Sequence, residues 1–144
     1  MNRVEQPVNA PAAAVWRILA DGWLYPLWVV GATRMRQVED EWPAVGSKLH
    51  HSVGVWPLTL DDDTEVVEAE EGRRLVLRAR AWPGGEAEVT LVIDDLGATS
   101  VVSIEEDLAT GPAKLVPRPA RSVLLVLRNR ETLRRLGWLA ERRG

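Results

Sequence analysis

The sequence predicts an α+β fold in which a curved antiparallel sheet grips one long C-terminal helix. Three observations carry this. A strand and a short helical stretch come first, a series of alternating strand-like runs follows, and an amphipathic helix closes the chain. The loops between successive strands are short and bear Gly or Pro, which implies antiparallel neighbours, because parallel neighbours need long crossovers. At 144 residues the chain is one domain's worth, taken as 1–144, and long enough to bury most of its apolar surface in one core.

Arg3 to Val8 is the first strand. Pro11 suits a first helical turn, and Ala12, Val15, Trp16 and Leu19 follow at helical spacing until Asp21-Gly22 stops the helix. Trp23 to Val30 is a second short helical segment with Pro26 in its first turn and Gly31 at its end. Thr33 to Glu39 is the second strand, and Trp42-Pro43-Ala44-Val45-Gly46 is a turn. Ser47 to Val55 is the third strand, with Leu49, His51 and Val53 on one face, broken by Trp56-Pro57. Leu58 to Ala69 is the fourth, turning at Glu70-Glu71-Gly72.

Arg74 to Trp82 sets Leu75, Leu77, Ala79 and Ala81 against Val76, Arg78 and Arg80, and Pro83-Gly84-Gly85 turns the chain. Glu86 to Ile93 directs Ala87, Val89, Leu91 and Ile93 inward, Asp94-Asp95-Leu96-Gly97 forms a hairpin loop, and Thr99 to Asp107 is the seventh strand. A linker from Ala109 to Pro117 leads to the helix, Pro119 to Arg142, about 36 Å long. Ser122, Leu125, Asn129, Leu133, Leu136 and Ala140 form its apolar face, with Arg128, Arg130, Arg134, Arg135 and Arg142 off it. Leu124, Leu127 and Trp138 lie opposite that stripe. They suit either contact with a second copy, giving a homodimer, or cover by the linker.

Composition is that of a soluble globular protein, with 46% hydrophobic and 27% charged residues. The absence of Cys removes disulfides, a thiol nucleophile and thiolate metal sites. No segment resembles a signal peptide and no run spans a bilayer, so the expected location is the cytoplasm. Net charge is −3 but uneven. From Arg118 onward eight arginines face two glutamates, a surplus of six positive charges, which leaves the rest at −9.

Most chemical motifs fail on spacing. His50 and His51 are neighbours on a strand and point to opposite faces, so no metal site is expected, and no cofactor. Asp61-Asp62-Asp63-Thr64 has the composition of a phosphatase-type Asp-x-Asp-x-Thr loop. Counted from Asp61, however, the Thr position is Glu65, and counted from Asp62 the second Asp position is Thr64. No nucleophile elbow or phosphate-binding Gly loop is present. The central strands lack the aromatics of a sheet that reads nucleic acid.

What remains is a set of polar residues whose strand parity places them among apolar ones. His51 lies between Leu49 and Val53, Asp62 shares parity with Thr64 and Val66, and Glu105 shares parity with Val101 and Ser103. If all three face the concave side, a histidine and two carboxylates enter one cavity. Asn129, near the centre of the helix's apolar face, either bonds to backbone or points into a wet or ligand-filled pocket.

The segments Ala10-Pro11-Ala12-Ala13-Ala14-Val15-Trp16, Tyr25-Pro26-Leu27-Trp28-Val29-Val30-Gly31, Trp42-Pro43-Ala44-Val45-Gly46-Ser47 and Thr64-Glu65-Val66-Val67-Glu68, followed by the long helix, carry a resemblance through their order and spacing. Together they resemble the START-like, or SRPBCC, superfamily in its polyketide cyclase/dehydrase-like branch, over nearly the whole chain. The resemblance implies a helix-grip fold, a seven-stranded antiparallel sheet wrapped around the last helix with two short helices after the first strand. It also implies a largely apolar cavity between sheet and helix. Relatives bind lipids, sterols, polyketides and other hydrophobic molecules, and some catalyse cyclisation or dehydration. No catalytic set transfers. The pocket positions carried over are Trp28, His51, Asp62, Glu105 and Asn129.

Three functions follow as expectations. The leading one is binding of a small hydrophobic molecule in the internal cavity. The second is a cyclase or dehydratase using His51 with Glu105 or Asp62 for proton transfer. The third is a protein-interaction module resembling chaperone-ATPase activators, with Arg128 and Arg135 on the contact surface.

Overall fold

The computed structural model of the protein describes the backbone of residues 3–30, 32–53, 60–81, 85–110 and 118–143. Of these it describes the side chains of all but 32–34, 52–53, 60–62, 80–81, 85, 108–110, 118–122 and 143. The element order is β1 (Arg3–Val8), α1 (Ala12–Ala20), a 3₁₀ turn (Gly22–Leu24), α2 (Tyr25–Trp28), β2 (Ala32–Val38), β3 (Lys48–Val53), β4 (Leu60–Glu70), β5 (Arg74–Ala81), β6 (Gly85–Asp95), β7 (Ser100–Thr110) and α3 (Arg118–Arg143). The strands form one antiparallel sheet in the order β1-β7-β6-β5-β4-β3-β2, the architecture the sequence predicts.

Local chemistry sets the first corner. Pro11, extended at φ −69° and ψ 160°, precedes α1, whose Val15, Ile18 and Leu19 are buried. The stop at Asp21 is real: its carboxylate accepts from Trp23 N at 3.3 Å. The predicted second helical segment divides into the 3₁₀ turn and the single turn of α2, with Pro26 in its first turn. Gly22 is required by close approach. A Cβ there would lie 2.5 Å from Leu49 Cδ2 and 2.8 Å from Val38 Cγ1. Trp42 lies in the turn the sequence predicts and is also buried, donating its indole N–H to Leu19 O at 3.0 Å and so fastening the β2–β3 connection to the end of α1.

The register sorts the inner face into rows. Ile93 pairs with Val102; Leu75 with Leu91 and Leu91 with Ile104; Leu77 with Val89 and Val89 with Glu106; Thr64 with Ala79 and Ala79 with Ala87. His51 and Asp62 pair beyond these, after Leu49 and Thr64. The α3 residues Leu133, Leu136, Leu139 and Ala140 cover the sheet and are buried. The helix lies close to β1: a Cβ on Gly137 would sit 3.3 Å from Val8 Cγ2, and Asn9 N donates to Glu141 Oε2 at 2.8 Å.

β7 extends to Thr110, so the expected linker begins later than Ala109. The expected end of the third strand at Val55, the Trp56-Pro57 break, the Leu58 start of the fourth strand, the Pro83-Gly84 turn and linker residues 111–117 lie outside the described residues. Leu124, Leu127 and Trp138 are each more than half exposed, and the Arg142 guanidinium lies 5.1 Å above the Trp138 ring. Among the described residues no helix is long and apolar enough to cross a membrane.

Candidate functional site

The sequence brings its polar interior together at the end of the sheet where the inward residues turn small or polar. Two inward alanines, Ala79 and Ala87, stand beside Thr64 where neighbouring rows carry leucine. Alanine leaves the volume a leucine would occupy, so on β5 and β6 the sheet face carries less side-chain volume here than in the Leu75–Leu91 row.

Thr64 is the hub. Its hydroxyl is fully buried, shares a 2.7 Å hydrogen bond with His51 Nε2 and shares another of 3.2 Å with the Tyr25 hydroxyl. A hydroxyl has one proton and two lone pairs, so it can accept from Tyr25 while donating to His51. The single turn of α2 supplies Tyr25, and alternation along β3 and β4 supplies the other two. The Tyr25 ring lies 5.3 Å from the His51 ring and 5.2 Å from the Trp28 ring, the latter edge-on at 70°. Burial pushes the Tyr25 phenol above its ordinary value of 10.0. The Thr64 hydrogen bond opposes that shift, the Glu106 carboxylate adds to it and Arg128 offsets it. The phenol therefore remains a neutral donor at physiological pH.

Helix α3 closes the other side. Arg128 reaches down to an ion pair with Glu106, whose side chain is only 6% exposed against 38% for Arg128. One residue on, Asn129 is 1% exposed. Thr132, one turn later, accepts from Val30 N at 3.3 Å and so holds the chain after α2 against α3. Among the described residues, two donors buried at this end have no hydrogen-bond partner: Asn129 Nδ2 and Trp28 Nε1.

Four of the five residues expected at the site can be traced. Trp28 and His51 both contact Tyr25, and Asn129 is buried on α3. Asp62 pairs with His51 in backbone register, while its side chain lies outside the described residues. Glu105 requires correction: it alternates to the outer face and pairs with Thr90 and with exposed Arg3. Glu106 holds the inward position, because the β6–β7 hairpin sets Val89, Leu91 and Ile93 opposite Glu106, Ile104 and Val102. Parity within β7 could not reveal this, since apolar residues occur in both phases there. Register against the unambiguous β6 could.

Arg128 is likewise half-buried and paired with Glu106, not a free surface charge. Tyr25 and Thr64 were missed as site residues. A single turn of helix has no periodicity to read, and a threonine in a strand is ordinary. His50 faces away from the site, its Nδ1 2.7 Å from Asp63 Oδ1 and its Nε2 3.1 Å from Glu39 Oε2. Among the described residues no three His, Asp or Glu side chains converge to hold a metal ion.

The family described as polyketide cyclase/dehydrase and lipid transport matches residues 2–139. No sequence among curated proteins matches the chain. Solved structures share its fold at low identity. A START superfamily protein from Mycobacterium smegmatis is 19% identical with a TM-score of 0.67, over 98% of this chain and 94% of that one. The di-domain ARO/CYC protein BexL from the BE-7585A biosynthetic pathway is 16% identical with a TM-score of 0.71, over 98% of this chain and 47% of the longer protein. Ara h 8.0201 is 10% identical with a TM-score of 0.70, over 95% of each chain.

Proposed function

Because the chain belongs to the polyketide cyclase/dehydrase and lipid transport family, we propose that it binds one small, largely apolar molecule between the inner sheet face and α3. The observation that carries this reading is the pair of buried, unpartnered donors, Trp28 Nε1 and Asn129 Nδ2. Leaving such a group unsatisfied costs about 1–3 kcal/mol. A ligand that is apolar in bulk but carries a carbonyl, hydroxyl or carboxylate oxygen removes that cost on binding. The small Ala79 and Ala87 side chains support the same end as the seat of the ligand.

The test is native mass spectrometry on protein purified from its own host without denaturation. The wild type carries a small-molecule adduct, and the Trp28→Phe/Asn129→Leu double variant loses most of it. Repeated absence of any adduct from the wild type counts against the reading.

A second reading, acid–base catalysis of a cyclisation or dehydration, is favoured by the Tyr25–Thr64–His51 chain. With Glu105 on the outer face, a described hydrogen-bonded route from His51 runs through Thr64 to Tyr25. In a dehydration His51 Nε2 would exchange its Thr64 hydrogen bond for a carbon-bound proton, while the Tyr25 phenol turns its proton from Thr64 to the departing hydroxyl. Water then leaves and a double bond forms. This reading requires that Tyr25→Phe keep the ligand and lose its conversion.

A further inference from the structure

A surface recess lies apart from the polar interior and shares no residue with it. It is an open groove of about 580 Å³ where the end of α1, the 3₁₀ turn, the end of β2 and the β4–β5 turn meet. Three of the seven tryptophans line it: Trp16, Trp23 and Trp42. Trp42, 8% exposed, is fixed by its indole bond to Leu19 O, whereas Trp23 is 58% exposed.

The charge of the groove is one-sided. Asp21, Glu39, Asp40 and Glu71 stand against Arg17 alone, a net charge of −3 in the lining. Glu39 is engaged by His50 and by Lys48 N. Among the described residues Asp21, Asp40 and Glu71 have no ion-pair partner. A hard divalent cation would need several carboxylates converging on one point, and no such group is present among the described residues. Indole side chains beside unneutralised carboxylates instead suit a weakly hydrated, bulky cation. The rings supply apolar area and a negative face, and the carboxylates supply long-range attraction.

We propose that this groove binds a small organic cation, an alkylated ammonium of about the size of choline, independently of the interior site. The test is an NMR titration of the indole N–H signals with choline at constant ionic strength, with 3,3-dimethyl-1-butanol as the neutral isostere. The expected result is saturable movement of the Trp16, Trp23 and Trp42 signals with choline alone, while the buried Trp28 signal stays still.

Trp23→Ala, at an exposed ring, should weaken binding about two- to fivefold. Asp40→Asn with Glu71→Gln should weaken it and flatten its salt dependence. Arg17→Gln should tighten it by removing the one competing cation. Three results would each overturn the proposal: equal response to the neutral isostere, shifts that rise without saturating, or movement of the Trp28 signal while the groove signals hold.

Discussion

At one end of the interior the paired rows Val102–Ile93 and Ile104–Leu91–Leu75 face inward, an aliphatic stretch of the buried core that also holds Leu136 and Leu139 of α3, and the inward hydroxyl there, Ser100, is satisfied by Ala10 O at 2.9 Å. At the other end the same inward positions carry Glu106, Thr64 and His51, with Tyr25, Trp28 and Asn129 around them, all buried. Both ends lie under one helix and one sheet, so the fold does not dictate the difference. Aliphatic contacts alone are the simpler way to stabilise such an interior. Among the described residues the polar groups of this end include two buried donors without partners, which costs stability, so their retention points to work done there.

The largest effect is expected where no polar group is involved. Leu136 is fully buried, and Leu136→Ala should cost about 2–5 kcal/mol by urea unfolding with an unchanged slope. The same variant should retain ligand as the wild type does. Loss of ligand at a matched, still folded population would erase the distinction between the two ends.

Thr64→Val keeps the shape and removes the hub. The Tyr25 hydroxyl and His51 Nε2 then lose the oxygen they share, at a cost of about 1–3 kcal/mol. Unlike Leu136→Ala, this change should also alter ligand retention. A neutral effect on both stability and ligand would show that the hydroxyl is incidental.

How much of this contrast the sequence discloses depends on the length of the repeating unit. The aliphatic end was readable because β5 and β6 alternate without ambiguity, and Leu75, Leu77, Leu91 and Ile93 are all buried as predicted. β7 was not, because Val101-Val102 and Glu105-Glu106 place an apolar residue and an acid in each phase. Choosing the phase of Glu105 turned the strand over, a slip that moves every side chain to the other face. His51 was legible from Leu49 beside it. Tyr25 was not, because its direction follows from the Asp21 cap and the 3₁₀ turn, which no wheel or alternation encodes. Arg128 looked like one more solvent-facing arginine until Glu106 was turned inward to meet it.

A subtler difference between the ends is visible in alkali. The polar end contains the chain's only tyrosine, so absorbance near 295 nm reports Tyr25 alone. Its folded value is raised above 10.0, chiefly by burial. As pH rises past the unfolded value, the unfolded chain ionises first and binds fewer protons than the folded one. Stability from this group is therefore complete below pH 10 and is lost as pH rises through the folded value. The phenolate transition should come later in the folded protein than in urea, and Tyr25→Phe should remove that part of the alkaline loss of stability. Coincident transitions in buffer and urea would place the phenol in water.

The smallest effect has the most informative sign. Asn129→Leu replaces a buried amide by an apolar side chain of similar size, at a position where Nδ2 has no partner. Were the amide structural, its removal would destabilise the ligand-free protein. As an unsatisfied donor held for a ligand oxygen, it costs stability while the site is empty, so Asn129→Leu should raise the stability of ligand-stripped protein by about 1 kcal/mol. On the proposed function, the same variant should also lose the extra stability that a bound ligand would give the wild type. Two unfolding curves per protein, before and after stripping, separate these cases. A gain in the stripped state paired with a loss in the loaded state makes Asn129 a binding residue, and a loss in both makes it part of the frame.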